Sequence, residues 1–284
     1  MSEPTRTIRI AAAQMRPHLG DVVANRHAIL GKLREAAAAG ARLVVFPECA
    51  LSGYVFESRE EALACAEPIP GPSVLKVAAA CQALGTLAVF GMLERDGDRL
   101  YNACALVGPE GLVGSYRKIH LPYLGVDRFA DPSDRPFAIH EAGGLRVGLL
   151  ICYDGSFPES GRVLALLGAD LLILPTNWPT QSECAAEHLL PCRAMENTVY
   201  AMAVNRIGEE RGFQFIGRSS IVDPTGARLA FASADREEIL YAEIDPARAR
   251  DKRLVRVPGR HEINRIADRR PRFYAKITEP NGRD

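Results

Sequence analysis

What most constrains the fold of this chain is a change of rhythm. Near the N-terminus, apolar strand-like runs alternate with long segments of helical periodicity. From Thr86 to His120 the helices stop, and strand follows strand across tight turns. "TIRIAAAQM" reads as a first strand. "VVANRHAILGKLREAAAAG" reads as a helix closed by Gly40, and "ARLVVFPE" as an apolar strand stopped by Pro47. Two more helices follow. One begins at Ser58 with Glu61 three residues on, a capping-box spacing, and the other runs from Pro72 to Gly85. "TLAVFGMLERDGDRLYNACALVGPEGLVGSYRKIH" then reads as three strands joined at "RDGDR" and "GPEG", and "PFAIHEAGGLRVGLLIC" as another hairpin. "FPESGRVLALLGAD" and "ECAAEHLLPCRAMENT" are helices around the strand "LLILPT", the second with Pro191 inside it. "VYAMAVN", "RSSIVDPTGARLAFA" and "EEILYAEID" are strands. Helices in pairs between strands, plus hairpins, require mixed sheets rather than a purely parallel one. Two such sheets with helices outside account for all 284 residues as a single domain, 1–284. The sequence shows no internal repeat and no linker.

Composition narrows the function classes. Lys and Arg number 35, Asp and Glu 35, so the net charge is zero and no nucleic-acid partner is expected. No apolar run approaches the roughly 18 residues that a membrane span needs, and no signal-peptide apolar region is read at the N-terminus. The seven cysteines are odd in number and contain no CxxC pair, which fits reduced thiols and a cytoplasmic location. No Cys/His spacing suggests a metal site, and no cofactor is implied.

Three residues sit where chemistry is possible. Glu48, in "LVVFPEC", follows an apolar run and a proline. At the lip of a core, desolvation would raise its pKa and suit it to act as a general base; the alternative is an ordinary turn glutamate. Lys118, in "GSYRKIHLP", is either a surface strand lysine or an inward ammonium that holds an oxyanion. Cys152, in "GLLICYDGSFPE", is either core packing or a nucleophile on a sharp strand-to-helix turn.

In that order, and with "LPTNWP", "CRAMENTVYAMAVNRIG" and "GRSSIVDPTG" downstream, the three motifs resemble those of the nitrilase superfamily of carbon–nitrogen hydrolases, over roughly residues 7–245. The resemblance implies a four-layer α-β-β-α sandwich of two mixed sheets with outer helix pairs. It implies that Cys152 attacks an amide carbonyl to form a thioester acyl-enzyme. Glu48 would be the base for both halves of the reaction, and Lys118 and the Tyr153 N–H would hold the oxyanion. Tyr54, Asn177 and Trp178 fall in segments expected to line the substrate pocket, though Trp178 is equally read as packing at a strand end. Members often carry a further glutamate after the lysine motif. None occurs here from Lys118 to Pro136; Asp127 is the nearest acid, followed by Asp131 and Asp134, and Asp127 is the candidate replacement. Nitrile-converting members usually read Cys-Trp-Glu, whereas this chain reads Cys152-Tyr153-Asp154, like the amidase and carbamoylase branch. Hydrolysis of a linear amide or N-carbamoyl compound is therefore expected, with nitrile hydrolysis, acyl transfer or a catalytically silent binding subunit as alternatives. Arg193 and Glu196 read as a structural helix pair. His120 or His188 would serve only if the thiol were paired with a histidine. Members pair through outer helices into homodimers, and the tail from about Val255 suits a segment that crosses to a partner.

Overall fold

The computed structural model describes residues 7–280. In chain order it begins with β1 (Ile8–Gln14), α1 (Val22–Ala38), β2 (Leu43–Val45), α2 (Arg59–Leu63), α3 (Pro72–Leu84), β3 (Leu87–Asp96), β4 (Arg99–Gly108) and β5 (Gly111–Arg117). The second half holds β6 (Ile139–Ala142), β7 (Leu145–Leu149), α4 (Pro158–Leu166), β8 (Leu171–Thr176), α5 (Leu190–Asn197) and β9 (Tyr200–Asn205). Then come β10 (Ile207–Glu210), β11 (Phe213–Ile216), β12 (Ser220–Val222), β13 (Arg228–Phe231), β14 (Glu238–Ile244), α6 (Pro246–Arg250), β15 (Leu254–Val257) and β16 (His261–Ile263).

Two six-stranded mixed sheets result, ordered β14-β1-β2-β3-β4-β5 and β13-β12-β9-β8-β7-β6. β1, β2 and β3 are mutually parallel, as are β7, β8 and β9, and the other pairings in both sheets are antiparallel. Each sheet thus repeats the same series: an antiparallel edge, three parallel strands, then two antiparallel ones. The sequence displays no repeat, yet the topology is duplicated. Strand order is dictated by where apolar alternation and turns fall, not by residue identity.

Alternation along the strands sorts the layers. Ala11, Ala13, Val44, Phe46, Ala88 and Phe90 pack outward against Ile29 and Leu33 of α1 and Val74 and Val77 of α3. The intervening Ile10, Ala12, Leu43, Val45 and Val89 face the second sheet and join Val147, Leu149, Ile173 and Met202, which is backed by Leu164 of α4 and Leu190 of α5. The expected four layers are present.

Local signals mostly act as read. Asp21 caps α1 by accepting from Ala24 N–H at 2.9 Å. Ser58 accepts from Glu61 N–H at 3.2 Å, but the Glu61 carboxylate reaches one residue further back, to Glu57 N–H, and pairs with Arg211, so the capping box is half closed. The segment read as one helix through Pro191 is instead a wide π-type turn, Ala185–Leu189, running into α5; the missing proline N–H loosens the ladder there. The β10–β11 and β15–β16 hairpins and α6 were not foreseen. Among the described residues no helix is long and apolar enough to cross a membrane, and no group of three or more His, Cys, Asp or Glu side chains could hold a metal ion.

Candidate active site

Glu48 is delivered by the end of β2. The chain leaves the strand through Phe46-Pro47 and turns at Cys49, whose φ of 48° is left-handed. The turn presses on β3: a Cβ at Gly91 would lie 2.3 Å from Cys49 N and 2.6 Å from Glu48 Cα, so only glycine fits. Glu48 is fully buried. Its Oε1 accepts from Lys118 Nζ at 2.7 Å and from Asn102 Nδ2 at 2.7 Å, while Oε2 has no partner among the described residues. Burial raises its pKa above the ordinary carboxylate value. Lys118 opposes that rise and Asp127 adds to it.

Lys118 lies one residue beyond β5, with its N–H donated to Asn102 O at 2.8 Å. It is not a surface lysine; its side chain is wholly inaccessible. The ammonium donates to Asp127 Oδ2 at 2.6 Å as well as to Glu48. Burial alone would push its pKa down, but the two carboxylates outweigh burial and hold it well above the usual lysine value. Asp127, in the tight turn Gly125–Arg128, also accepts from Asn102 Nδ2 at 2.8 Å and from the Tyr54 hydroxyl at 2.8 Å. It therefore meets the lysine directly, whereas Asp131 bonds Arg59 and Leu100, and Asp134 bonds Arg117. A Cβ on Gly125 would fall 2.4 Å from the Tyr54 ring. Glu210 holds the same loop by accepting from Tyr54 N–H and Val55 N–H, and it is itself paired with buried Arg206.

Cys152 comes from the other sheet, just past β7. Its φ of 47° is left-handed, a conformation that costs a non-glycine residue about 1–3 kcal/mol and persists only where surrounding contacts impose it. Burial, with the Glu48 charge second, pushes the thiol up to about 12; Lys118, the Thr176 hydroxyl and the Asn177 backbone N–H act in the opposite direction. So raised, the group favours the thiol, and any attack by it would require a base to take its proton.

The remaining expected positions divide. The Tyr153 side chain is 40% exposed and edges onto Phe157, with ring centroids 5.1 Å apart; its backbone N–H makes no hydrogen bond among the described residues. Asn177 is fully buried with neither amide atom bonded among the described residues. The Trp178 side chain is 5% exposed and belongs to the shared apolar core, and its backbone is held by Asn205. Arg193 pairs with Glu196 at 2.8 Å and donates to Gly155 O in the turn after Cys152. His120 bonds Asp154 through Nδ1 at 2.7 Å, and His188 is exposed on the π-type turn. Sequence reasoning missed Asn102. An asparagine inside the apolar run "LYNACALVG" was the available signal, since a polar residue in a buried strand needs partners. A surface groove of about 510 Å³ at Glu141–Arg146 and Arg250 is lined by none of these residues.

The arrangement pairs a buried carboxylate with a buried ammonium, and the charges of both act on the Cys152 thiol. Across residues 9–254 the chain matches the family model described as carbon-nitrogen hydrolase. The chain belongs to the carbon-nitrogen hydrolase family. It is 40% identical to a protein named nitrilase from Pyrococcus abyssi over 94% of this chain and 99% of that one. It is 33% identical to an (R)-stereoselective amidase from Pseudomonas sp., covering 97% of each. An amidase crystal structure from Nesterenkonia sp. superposes with a TM-score of 0.80 at 25% identity, over 97% of this chain and 98% of that one. Membership makes this chain a carbon–nitrogen hydrolase of the amidase type, and the two-sheet sandwich is the fold it shares with that amidase.

Proposed function

We propose that the protein hydrolyses a small linear amide or N-carbamoyl compound through a thioester on Cys152. The observation that carries this reading is the shared ammonium: Lys118 lies between Glu48 at 2.7 Å and Asp127 at 2.6 Å, all three side chains fully buried, and the charges of Glu48 and Lys118 both act on the Cys152 thiol. In the first half-reaction Glu48 accepts the Cys152 proton as sulfur bonds the carbonyl carbon. Lys118 Nζ and the Tyr153 N–H take the charge that develops on oxygen. Glu48 then returns the proton to the departing nitrogen, and ammonia or an amine leaves. In the second half a water gives its proton to Glu48 and its oxygen to the acyl carbon, releasing the acid and the thiol. Asp127 keeps Lys118 charged and placed. Tyr54, Asn177 and Trp178 are assigned to the pocket, Tyr54 through its bond to Asp127 and Asn177 through its two unpaired amide atoms.

Relatives support the cysteine as a nucleophile: a Michael adduct of acrylamide is described on the active-site cysteine of a glutamate-to-glutamine variant of a Nesterenkonia amidase. Cys152-Tyr153-Asp154 favours amides over nitriles. The whole chain, 1–284, is assigned to one catalytic domain acting in the cytoplasm, which its seven unpaired cysteines suit. A homodimer is inferred from the tail, where Val255, Val257, Phe273 and Ile277 stand exposed on a segment with few anchors. Sedimentation of the full chain and of a chain cut at 254 tests that assignment.

The function is tested by ammonia release from a panel of linear amides, ω-amides, ureides and nitriles, with Cys152→Ala as the control. Turnover of amides or ureides, lost in Cys152→Ala, and an acyl mass increment on Cys152 are expected. Nitrile turnover alone, or activity that survives Cys152→Ala, overturns the reading.

A further inference from the structure

Asp154 is fully buried, and the triad reading gives it no task. Both of its oxygens are saturated by four donors. Oδ2 accepts from the Tyr116 hydroxyl at 2.8 Å and from Ile151 N–H at 3.0 Å. Oδ1 accepts from His120 N–H at 3.0 Å and lies 2.7 Å from His120 Nδ1. These partners are not scattered. Tyr116 and His120 stand two residues before and two after Lys118, and Ile151 immediately precedes Cys152. The Asp154 N–H closes the same turn onto Ile151 O at 3.0 Å.

β5 ends at Arg117, and past the Lys118 N–H bond to Asn102 O on β4 sheet pairing no longer holds the segment. Cys152 sits in a left-handed conformation that surrounding contacts must impose. One carboxylate therefore grips the lysine segment on both sides in one sheet and the nucleophile turn in the other. His120 is fixed further by stacking on Phe157, with centroids 3.7 Å apart, and Phe157 follows the same turn.

We propose that Asp154 is a positioning residue of the reaction, setting the place of Lys118 relative to Cys152 by clamping the lysine segment to the nucleophile turn. This rests on the thioester reading above. An asparagine there offers one oxygen where two are needed, and it turns an N–H₂ toward donors. Such a residue supplies geometry rather than substrate affinity, so its loss appears in kcat and not in KM.

The experiment measures kcat, KM and thermal melting for the full chain and for Asp154→Asn, Tyr116→Phe and His120→Phe, singly and combined, with Cys152→Ala beside them. The expected result is a kcat fall of at least about 10²-fold in Asp154→Asn with KM within threefold, because misplacement of about 1 Å can cost that much. Smaller kcat losses are expected in Tyr116→Phe and His120→Phe, and these vanish when they are added to Asp154→Asn. Should Asp154→Asn not fold, Tyr116→Phe combined with His120→Phe decides: a kcat loss at unchanged KM in a folded protein supports the clamp. Wild-type kcat in Asp154→Asn or in that combined variant overturns it, as does a change in KM alone. Turnover by Cys152→Ala overturns the thioester reading itself, whereas a dead Cys152→Ala beside an active Asp154→Asn sinks only the clamp.

Discussion

Asp127 Oδ2 lies 2.6 Å from Lys118 Nζ, so the ammonium that meets Glu48 is shared with a second buried carboxylate. Two acids and one base leave a net negative charge among side chains buried from bulk solvent. That excess falls on Glu48, whose proton affinity Asp127 increases. Asp127→Asn removes the extra charge and lowers the Glu48 pKa. The acid limb of the kcat/KM profile, which reports ionisation of the base, is expected to move to lower pH, while activity falls by about 10-fold or more as Lys118 loses an anchor. A pH–rate series on the variant measures both.

Removal of the ammonium has the reverse electrostatic effect. In Lys118→Met, Glu48 and Asp127 face each other without compensation, a situation that costs about 3–5 kcal/mol. The folded-state pKa of Glu48, already raised by burial, then lies further above its unfolded value. Its contribution is fully present below the ordinary carboxylate pKa and is lost as pH rises through the folded value. The stability gap between variant and wild type is therefore expected to widen from pH 5 to pH 8, as read by urea denaturation at the two pH values.

In the proposed mechanism Cys152, with a pKa pushed up to about 12, reacts through its base rather than as a standing thiolate. Methyl vinyl ketone, an electrophile with no amide to cleave, is expected to modify Cys152 in the wild type. Glu48→Gln slows that reaction by about 10²-fold, with no change at exposed Cys184 and Cys192. Peptide mapping of the timed reaction separates the three sites; equal slowing at all of them would remove Glu48 from the proton transfer.

The Tyr54 hydroxyl reaches Asp127 only because Gly125 lies flat against its ring. Gly125→Ala puts a methyl 2.4 Å from that ring at a residue with φ of 49°. A loss of about 1–3 kcal/mol in stability and a fall in kcat/KM are expected. Tyr54→Phe, which deletes the bond without the clash, separates the two effects when melting and kinetics are measured together.

How much of this was legible depends on the residue. Glu48, Lys118 and Cys152 drew notice as charged or nucleophilic groups at or near strand ends, but each kept an ordinary alternative until the three motifs together resembled those of the nitrilase superfamily. Asp127 could be named as a substitute, but its turn had to be folded before it met Lys118. Asn102 was hidden because its partners lie 54 and 25 positions away, and a single strand gives no sign of which face an isolated polar residue serves. Asp154 was read for substrate preference, because a short motif carries no record that its four donors come from segments up to 38 residues away. The succession of strands and helices and the mixed pairing were legible from turns and alternation, while the strand order was not, and short elements such as β10–β11 and α6 carry too few apolar residues to stand out.

Glu48, Asn102 and Lys118 hang from one sheet, and Cys152, Thr176 and Asn177 from the other. The distance from the proposed nucleophile to the proposed base is thus a property of the seam between two separately hydrogen-bonded walls. Side chains that fill the seam far from any substrate, such as Val45, Val89, Leu149 and Ile173, act as spacers for the chemistry. Trimming one of them by a methyl group changes the reach across the gap as well as the cohesion of the core. Directed evolution of this enzyme has adjustment points for turnover in residues that no ligand ever touches.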